Sequence, residues 1–190
     1  SVTGFVVLLA DKTLLTSQKY ELLFKGAISN SSFITVGGFR DQRNFSINDL
    51  KSGFMRGLKF SNSYISDSNV LTELEYEYAK YNAKASYETY KFNSYDLNVT
   101  SGLGGGWGFK ASISHVKKSH FSPLPVFGER KEELNSINLE FSNSTSDNCL
   151  FASYGISRNN NKSSIDIFSK SNLQVTADFS YLCLFNQANS

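Results

Sequence analysis

Glu73-Leu74-Glu75-Tyr76-Glu77-Tyr78 is the stretch of sequence that decides the fold of this chain. Acidic side chains alternate in it with apolar and aromatic ones. Successive side chains of a β-strand point to opposite faces of the sheet, so this spacing separates the carboxylates from the apolar groups. The stretch therefore predicts a strand with one charged face and one apolar face, rather than an amphipathic helix.

The same period of two continues along the chain on both sides of this stretch. Apolar rows of this kind include Tyr20, Leu22 and Phe24; Leu58 and Phe60; Leu97 and Val99; Trp107 and Phe109; Ile137 and Leu139; and Leu173, Val175 and Phe179. Sequences rich in Ser, Asn, Asp and Gly separate the rows and predict turns, at 29–32, 66–69, 93–94, 104–106, 144–147 and 159–161. We expect roughly ten to twelve strands of about nine to eleven residues. Longer connections are expected near 41–53 and 118–132.

Composition limits the class of protein. The chain has 190 residues, of which 14% are aromatic, and a formal net charge of +2. Aromatic residues favour strands, and so small a charge excludes a strongly basic nucleic-acid-binding protein. No apolar run reaches the roughly 18 residues of a transmembrane helix. We therefore expect one all-β domain over residues 1–190, with no nucleic-acid partner.

Two features of the chain concern processing and oxidation. The apolar stretch from Phe5 to Ala10 lacks the basic flank and the length of a signal peptide, so a chain beginning at Ser1 is expected to be a mature or excised product. The two cysteines, Cys149 and Cys183, have neither zinc-site spacing nor a disulfide framework. The sequence leaves open whether they pair.

Alternating strands suit either a soluble barrel with an apolar interior or a membrane barrel with an apolar exterior. Tyr and Phe side chains gather toward the segment ends, for example at Tyr64 and Phe92, as in the aromatic girdles of membrane barrels. A long amphipathic segment also ends at Phe185. These features favour an antiparallel up-and-down transmembrane β-barrel in the bacterial outer membrane, in contact with outer-membrane lipid. The alternative is a soluble lipocalin-like barrel that binds an apolar ligand.

In a membrane barrel the charged row would face the lumen. The candidate lumen-lining residues are Lys59, Glu73, Glu75, Glu77, Lys84, Lys110, Glu140 and Asp178. Carboxylates in a row could perform acid–base chemistry or bind a hard cation. The pattern favours a structural interpretation, in which lysines on adjacent strands, such as Lys59, Lys84 or Lys110, balance the glutamates.

Other motifs give no catalytic, cofactor or metal site. The glycine-rich run from Gly102 to Gly108 formally resembles a nucleotide-binding loop, but alternating residues continue beyond it where that motif requires a helix. A hairpin turn is therefore predicted there. His115 and His120, the only histidines, lack a convergent carboxylate or thiol for a metal. We expect no enzyme activity and no cofactor.

Two later segments resemble a known family. The first, Val126 to Glu133, reads VFGERKEE, and the second, Tyr154 to Phe168, reads YGISRNNNKSSIDIF. With the closing segment 172–185, they resemble the barrel domain of the surface lipoprotein assembly modifier family, the Slam-type outer-membrane translocators. The first is similar to the family's Phe-Gly-x-Arg-Arg-x-Asp loop, and the second to its Tyr-x-x-x-x-x-Ser-Asn-Ile-x-x-Tyr segment.

The chain also departs from the family's pattern. Lys131 and Glu133 stand where the family has Arg and Asp, and Ser164 stands where it has Asn. Family members carry a periplasmic helical-repeat domain and a barrel of more strands, and 190 residues hold neither.

The resemblance implies that the chain moves lipoprotein or other protein cargo across the outer membrane without nucleotide or metal. Glu129, Arg130 and Glu132 would then anchor the 118–132 connection through ion pairs, although a solvated charged turn is the plainer interpretation. The alternative function is that of a small porin or a structural outer-membrane barrel, whose lumen its own side chains can fill.

Overall fold

A computed structural model describes residues 2–9, 12–145 and 150–181. The described residues form ten β-strands: β1 (Val2–Leu9), β2 (Lys12–Ser29), β3 (Ser32–Phe45), β4 (Gly53–Ile65), β5 (Val70–Ala83), β6 (Tyr90–Gly104), β7 (Trp107–His120), β8 (Lys131–Thr145), β9 (Leu150–Ser163) and β10 (Lys170–Tyr181). Three single-turn 3₁₀ helices lie between strands, at Asp49–Lys51, Ser86–Glu88 and Asp166–Phe168. Cys149 and Cys183, whose pairing the sequence leaves open, lie outside the described residues.

Each strand pairs antiparallel with its neighbours in sequence, from β1 to β10. The prediction of an all-β, antiparallel, up-and-down sheet is therefore confirmed, and ten strands fall within the predicted number. Within the described residues the ladders run as an open series, and none joins β1 to β10. No helix in this part of the chain is long and apolar enough to cross a membrane.

The connections between strands differ at the two ends of the sheet. One end, which we call the loop end, carries the connections 46–52, 84–89, 121–130 and 164–169. The other, the turn end, carries the tight turns 30–31, 66–69 and 105–106. The two longest connections are those expected from the sequence, but both are shorter than predicted, because the flanking residues continue the strands.

The glycine-rich run forms the predicted hairpin turn between β6 and β7. Gly105 and Gly106 have φ angles of +60° and +79°. Glycine adopts such angles readily because it has no Cβ, whereas most other residues avoid them. Positive φ at both central residues is the requirement of the type I′ two-residue hairpin turn.

Two predicted turns are wrong. Asn93-Ser94 lies inside β6, and residues 159–161 lie inside β9. Asn93 accepts a hydrogen bond from the Tyr76 hydroxyl on the neighbouring strand (2.9 Å). Asn161 donates one to the carbonyl of Phe168 in the 3₁₀ turn that follows β9 (2.8 Å). The strands are therefore longer than predicted, with 18 residues in β2 and 12 to 15 in β3 to β10.

The two faces of the sheet have opposite character. The outer face carries large apolar side chains that remain exposed, among them Leu22 (66%), Leu58 (65%), Ile113 (53%) and Val175 (74%). The inner face carries most of the acids and the ion pairs, and polar side chains such as Asp41 are buried there. The usual rule that apolar groups are covered and charges exposed is thus inverted across most of the sheet.

A small apolar cluster on the inner face is the buried core. Phe39, Met55, Ala79 and Tyr81 are buried, and Ala83, Tyr90 and Phe92 pack against them. Gly57 lies beneath this cluster, where an added Cβ would come within 2.7 Å of both Ala79 Cβ and the Phe39 ring. Glycine is needed there because the aromatic ring packs directly on the strand. The cluster fills the inner face close to the loop end.

Candidate functional site

The inner face of β4 and β5 carries the charged row predicted from the sequence. Glu73, Glu75 and Glu77 lie on this one face, and the ammonium of Lys59 lies 2.9 Å from Glu75 Oε1. Glu73 accepts a hydrogen bond from the Ser63 hydroxyl at 3.2 Å. The cross-strand partner that the sequence suggested for this row is therefore Lys59.

The remaining candidate lumen residues fall in different places. Lys110 and Glu140 are directly opposite one another on β7 and β8, toward the turn end. Asp178 lies on the same face of β10, opposite Ser153. Lys84 differs from the prediction, because it follows the end of β5 and lies in the connection 84–89.

Lys84 instead holds two loop-end connections together. Its ammonium donates hydrogen bonds to both carboxylate oxygens of Asp49, at 2.7 and 2.6 Å. This interaction with Lys84, helped by a hydrogen bond from Ser52, holds the pKa of Asp49 below its ordinary value. Both partners are exposed, so the pair orders the rim rather than the interior.

The predicted loop anchor is built around Glu132. The Arg130 guanidinium donates to Glu132 Oε1 from Nε (2.6 Å) and lies 2.5 Å from it through Nη2. Lys118 on β7 approaches the other carboxylate oxygen to 3.5 Å. Glu129 is not part of this group, since it is exposed and lies 3.6 Å from Lys131. A charge-assisted contact of two arginine nitrogens with one carboxylate oxygen, between mostly covered partners, is the kind of ion pair that restrains a connection.

Aromatic rings pack against this charged group on the inner face. Lys118 lies over the Tyr90 ring (4.0 Å to its centroid), and Arg43 lies over Tyr81 (5.9 Å). The Tyr81 hydroxyl donates to the Lys51 carbonyl oxygen. Tyr81 and Tyr90 themselves contact with ring centroids 5.2 Å apart. We call Arg43, Tyr81, Tyr90, Lys118, Arg130 and Glu132 the loop-end cluster.

A cavity beside the loop-end cluster shows that the sheet is curved. A cavity of about 210 Å³ is lined by Arg43 and Phe45 of β3 together with Lys118 of β7 and Arg130. β3 and β7 are four positions apart in the sheet, so they can border one cavity only if the inner face is concave. The cluster therefore narrows the space on the concave side of the sheet at the loop end.

A second cavity, of about 450 Å³, lies deeper along the inner face. Asp41 is buried there, accepts a hydrogen bond from the Ser17 hydroxyl (2.5 Å) and pairs with Arg43 (2.7 Å). Lys19 and Glu77 also line this cavity. The space behind the loop-end cluster thus carries both signs of charge beside apolar side chains of the buried core, and the charges suit water and polar solutes.

The two histidines do not come together. His115 faces outward, where its Nδ1 lies 2.7 Å from Asn135 Oδ1 and its ring contacts that of Tyr95. His120 faces inward, where its Nδ1 donates to the Tyr87 carbonyl at 2.9 Å. Among the residues that the structure describes, no three His, Cys, Asp or Glu side chains are grouped as a metal ion would require.

The sequence did not predict the loop-end cluster as a unit. A local motif predicted a role for Arg130 and Glu132. Arg43, Tyr81 and Tyr90 lie on strands that are distant in sequence from that motif. A usable signal was present, because aromatic residues occupy the charged rather than the apolar row at Tyr81, Tyr90 and Phe92. The prediction that Phe92 belongs to an aromatic girdle is therefore wrong, since Phe92 packs against the buried core on the inner face. An aromatic side chain in the charged row indicates a place where side chains fill the inner face.

No family model matches this chain, and a search among curated proteins finds no match either. The resemblance to the Slam-type translocators therefore stays a prediction. The two segments that carry it do meet at the loop end. Ser164 accepts a hydrogen bond from the Lys131 backbone N–H (2.9 Å) and donates one to the Glu129 carbonyl (2.8 Å), while Arg130 lies over the Phe168 ring (4.0 Å).

Proposed function

We propose that this chain forms the wall of a transmembrane β-barrel of the bacterial outer-membrane type. The observation that carries the proposal is the inverted polarity of the sheet: Leu58 and Ile113 are exposed, whereas Asp41 is 2% exposed. In water, so much exposed apolar surface marks a contact with another apolar phase. Closure of the curved sheet, by its own edge strands or with further strands, belongs to the proposal, because a bilayer does not tolerate an open edge.

The competing soluble barrel predicts the reverse arrangement of side chains. A lipocalin-like protein holds its apolar ligand against an apolar interior and turns its charges to water. Here the cavity of about 450 Å³ is lined by Lys19, Asp41, Arg43 and Glu77 beside Phe39, Met55, Tyr90 and Phe92. The four charged groups disfavour an apolar ligand, since such a ligand would remove their water.

The interior supports a passage that is closed at one end. The inner face carries charges of both signs, and the loop-end cluster narrows it near the rim. We propose that polar cargo passes along this face when the cluster opens. The resemblance to Slam-type proteins makes lipoprotein or another protein the proposed cargo. A small porin or a structural barrel is the second candidate, and the side chains that fill the inner face favour the structural barrel of the two.

The barrel proposal is tested by reconstitution in planar bilayers. We expect the purified chain to require detergent, to migrate differently on gels with and without boiling, and to give a small conductance. Tyr90→Ala should raise that conductance, because it removes a ring of the loop-end cluster. Tyr154→Ala, an aromatic truncation on the outer face, is the matched control. A chain that stays soluble in plain buffer and gives no conductance would contradict the proposal.

The nature of the cargo is tested with the same bilayers. A protein translocator should show transient current blockades when an unfolded polypeptide is added on one side. A small porin should instead admit sugars into liposomes and show no such blockades. If neither occurs even with Tyr90→Ala, the structural barrel is the better description.

A further inference from the structure

Four cations form a row across the outer face near the loop end. Arg40 on β3 lies directly opposite Arg56 on β4, Arg56 lies opposite Lys80 on β5, and Lys80 lies opposite Lys91 on β6. Adjacent strands are about 4.8 Å apart, so the four side chains leave the sheet side by side. Arg40, Arg56 and Lys91 are exposed and Lys80 is half-buried.

This row has no anionic partner in the described part of the chain. None of the four side chains forms an ion pair, whereas Lys117 and Lys131 farther along the outer face pair with Glu133 and Glu129. Arg40 lies over the ring of Phe54, and Lys80 lies over the ring of Phe121. Like charges placed directly opposite one another destabilise a sheet. Anions from outside the chain would therefore stabilise this row of four cations.

Acidic side chains are almost absent from the outer face. Among the described strand residues whose side chains are placed, Glu133 is the one acid that faces outward. The acids that face inward are Glu21, Asp41, Glu73, Glu75, Glu77, Asp96, Glu132, Glu140 and Asp178. The sheet thus separates its charges, and the outer face offers cations to whatever surrounds it.

The position of the row identifies the partner. Toward the turn end, the next outward residues on β4 and β5 are Leu58 and Tyr78, where the apolar band begins. Toward the loop end they are Phe54 and Asn82, followed by the connections. A cation at the margin of an apolar band lies at the depth of lipid headgroups.

We propose that Arg40, Arg56, Lys80 and Lys91 bind the phosphate groups of anionic lipids in the leaflet at the loop end. Arginine donates two parallel hydrogen bonds to a phosphate, and lysine contributes a compact charge. A row about 15 Å long, three strand spacings, accommodates more than one headgroup. This inference rests on the proposed function, because headgroups reach the row only if the outer face is in a bilayer.

The test compares lipid retention by matched variants. Wild-type protein is placed in nanodiscs of phosphatidylcholine with a minor fraction of phosphatidylglycerol, and the lipids it retains are counted by native mass spectrometry. We expect phosphatidylglycerol to be enriched over phosphatidylcholine. Arg56→Gln/Lys80→Gln should weaken this preference about fivefold for each cation removed. Lys25→Gln/Lys110→Gln changes charge equally on the inner face at the turn end, and should keep the preference.

Two additions keep the test decisive. If the double glutamine variant fails to fold, the swap Arg56→Lys/Lys80→Arg keeps the charge and should keep the preference, which must also fall with added salt. Equal enrichment in the wild type and in Arg56→Gln/Lys80→Gln would overturn the inference, as would an equal loss in the inner-face control. A chain that enters phosphatidylcholine nanodiscs without lipid preference overturns this inference alone, whereas one that enters no bilayer overturns the proposed function.

Discussion

Leu58 and Lys59 are neighbours on β4, yet Leu58 is 65% exposed, whereas the side chain of Lys59 is 26% exposed and pairs with Glu75. In a soluble β-protein the two would exchange roles. The alternation that reveals the strand cannot by itself say which row is covered. The curvature of the sheet decides it, and it places the charged row inside.

The first prediction concerns the outer face. Ile113 is 53% exposed in the middle of β7. Ile113→Arg should lower the free energy of unfolding from lipid vesicles by about 2–4 kcal/mol, because the guanidinium must enter hydrocarbon. Ile113→Ala should cost much less. The measurement is a urea titration in vesicles, followed through the fluorescence of Trp107. An arginine variant as stable as the wild type would place Ile113 in water.

The second prediction concerns the ion pair on the inner face. Lys59→Met should destabilise the protein by about 1 kcal/mol, because Glu75 loses a partially covered counter-ion. A double-mutant cycle with Glu75→Gln should give a coupling energy of similar size. Lys110→Met is the control, since Lys110 is exposed at the turn end. A coupling energy of zero would show that the pair is incidental.

The third prediction separates the two acids of the loop anchor. Glu132→Gln should cost about 2 kcal/mol, because Arg130 and Lys118 are both left without their carboxylate. Glu129→Gln should leave stability nearly unchanged, since Glu129 is solvated. Both variants change the charge equally at positions three residues apart. Equal effects in thermal or urea unfolding would mean that the loop-end cluster is not a stabilising unit.

The fourth prediction concerns pH. Lys84 lowers the pKa of Asp49, so the stabilisation from this pair is present at neutral pH and is lost as pH falls through the lowered pKa. Lys84→Met should raise the pKa of Asp49 toward its ordinary value. An NMR titration of the Asp49 carboxyl in detergent measures this directly, with Lys51→Met as a control at the end of the same 3₁₀ turn. An unchanged pKa in the Lys84 variant would show that the contact does not persist in solution.

The sequence carried enough information to predict the sheet. The alternation around Glu73 to Tyr78, and its recurrence along the chain, predicted the antiparallel meander that the ten strands form. The Gly105-Gly106 turn was predictable because its φ angles require glycine. The prediction of a turn at Asn93-Ser94 is wrong. Asn usually ends a strand, but here the hydrogen bond from the Tyr76 hydroxyl satisfies the Asn93 side chain within the sheet.

The site was only partly predictable. Lys59 and Glu75 are close along the chain and diagonal neighbours on one face, because Lys59 lies directly opposite Glu77 in the register. The pattern of β4 and β5 was therefore sufficient to bring them together. The loop-end cluster joins Arg43 to Lys118 through the curvature of the sheet, and no local pattern encodes that curvature. The cation row depends on the registers of four strands, which the positions of the turns set only approximately.

The central claim is that the outer face contacts lipid, and the most direct measurement is the accessibility of spin labels at two adjacent positions. In a Cys149→Ser/Cys183→Ser background, Ile113→Cys on the outer face or Ser112→Cys on the inner face carries a nitroxide on its thiol, and each protein is reconstituted in vesicles. We expect the label at 113 to collide with oxygen dissolved in the bilayer and the label at 112 to collide with a water-soluble nickel chelate. A label at 113 that is open to the nickel chelate and shielded from lipid-dissolved oxygen would contradict lipid contact at the outer face.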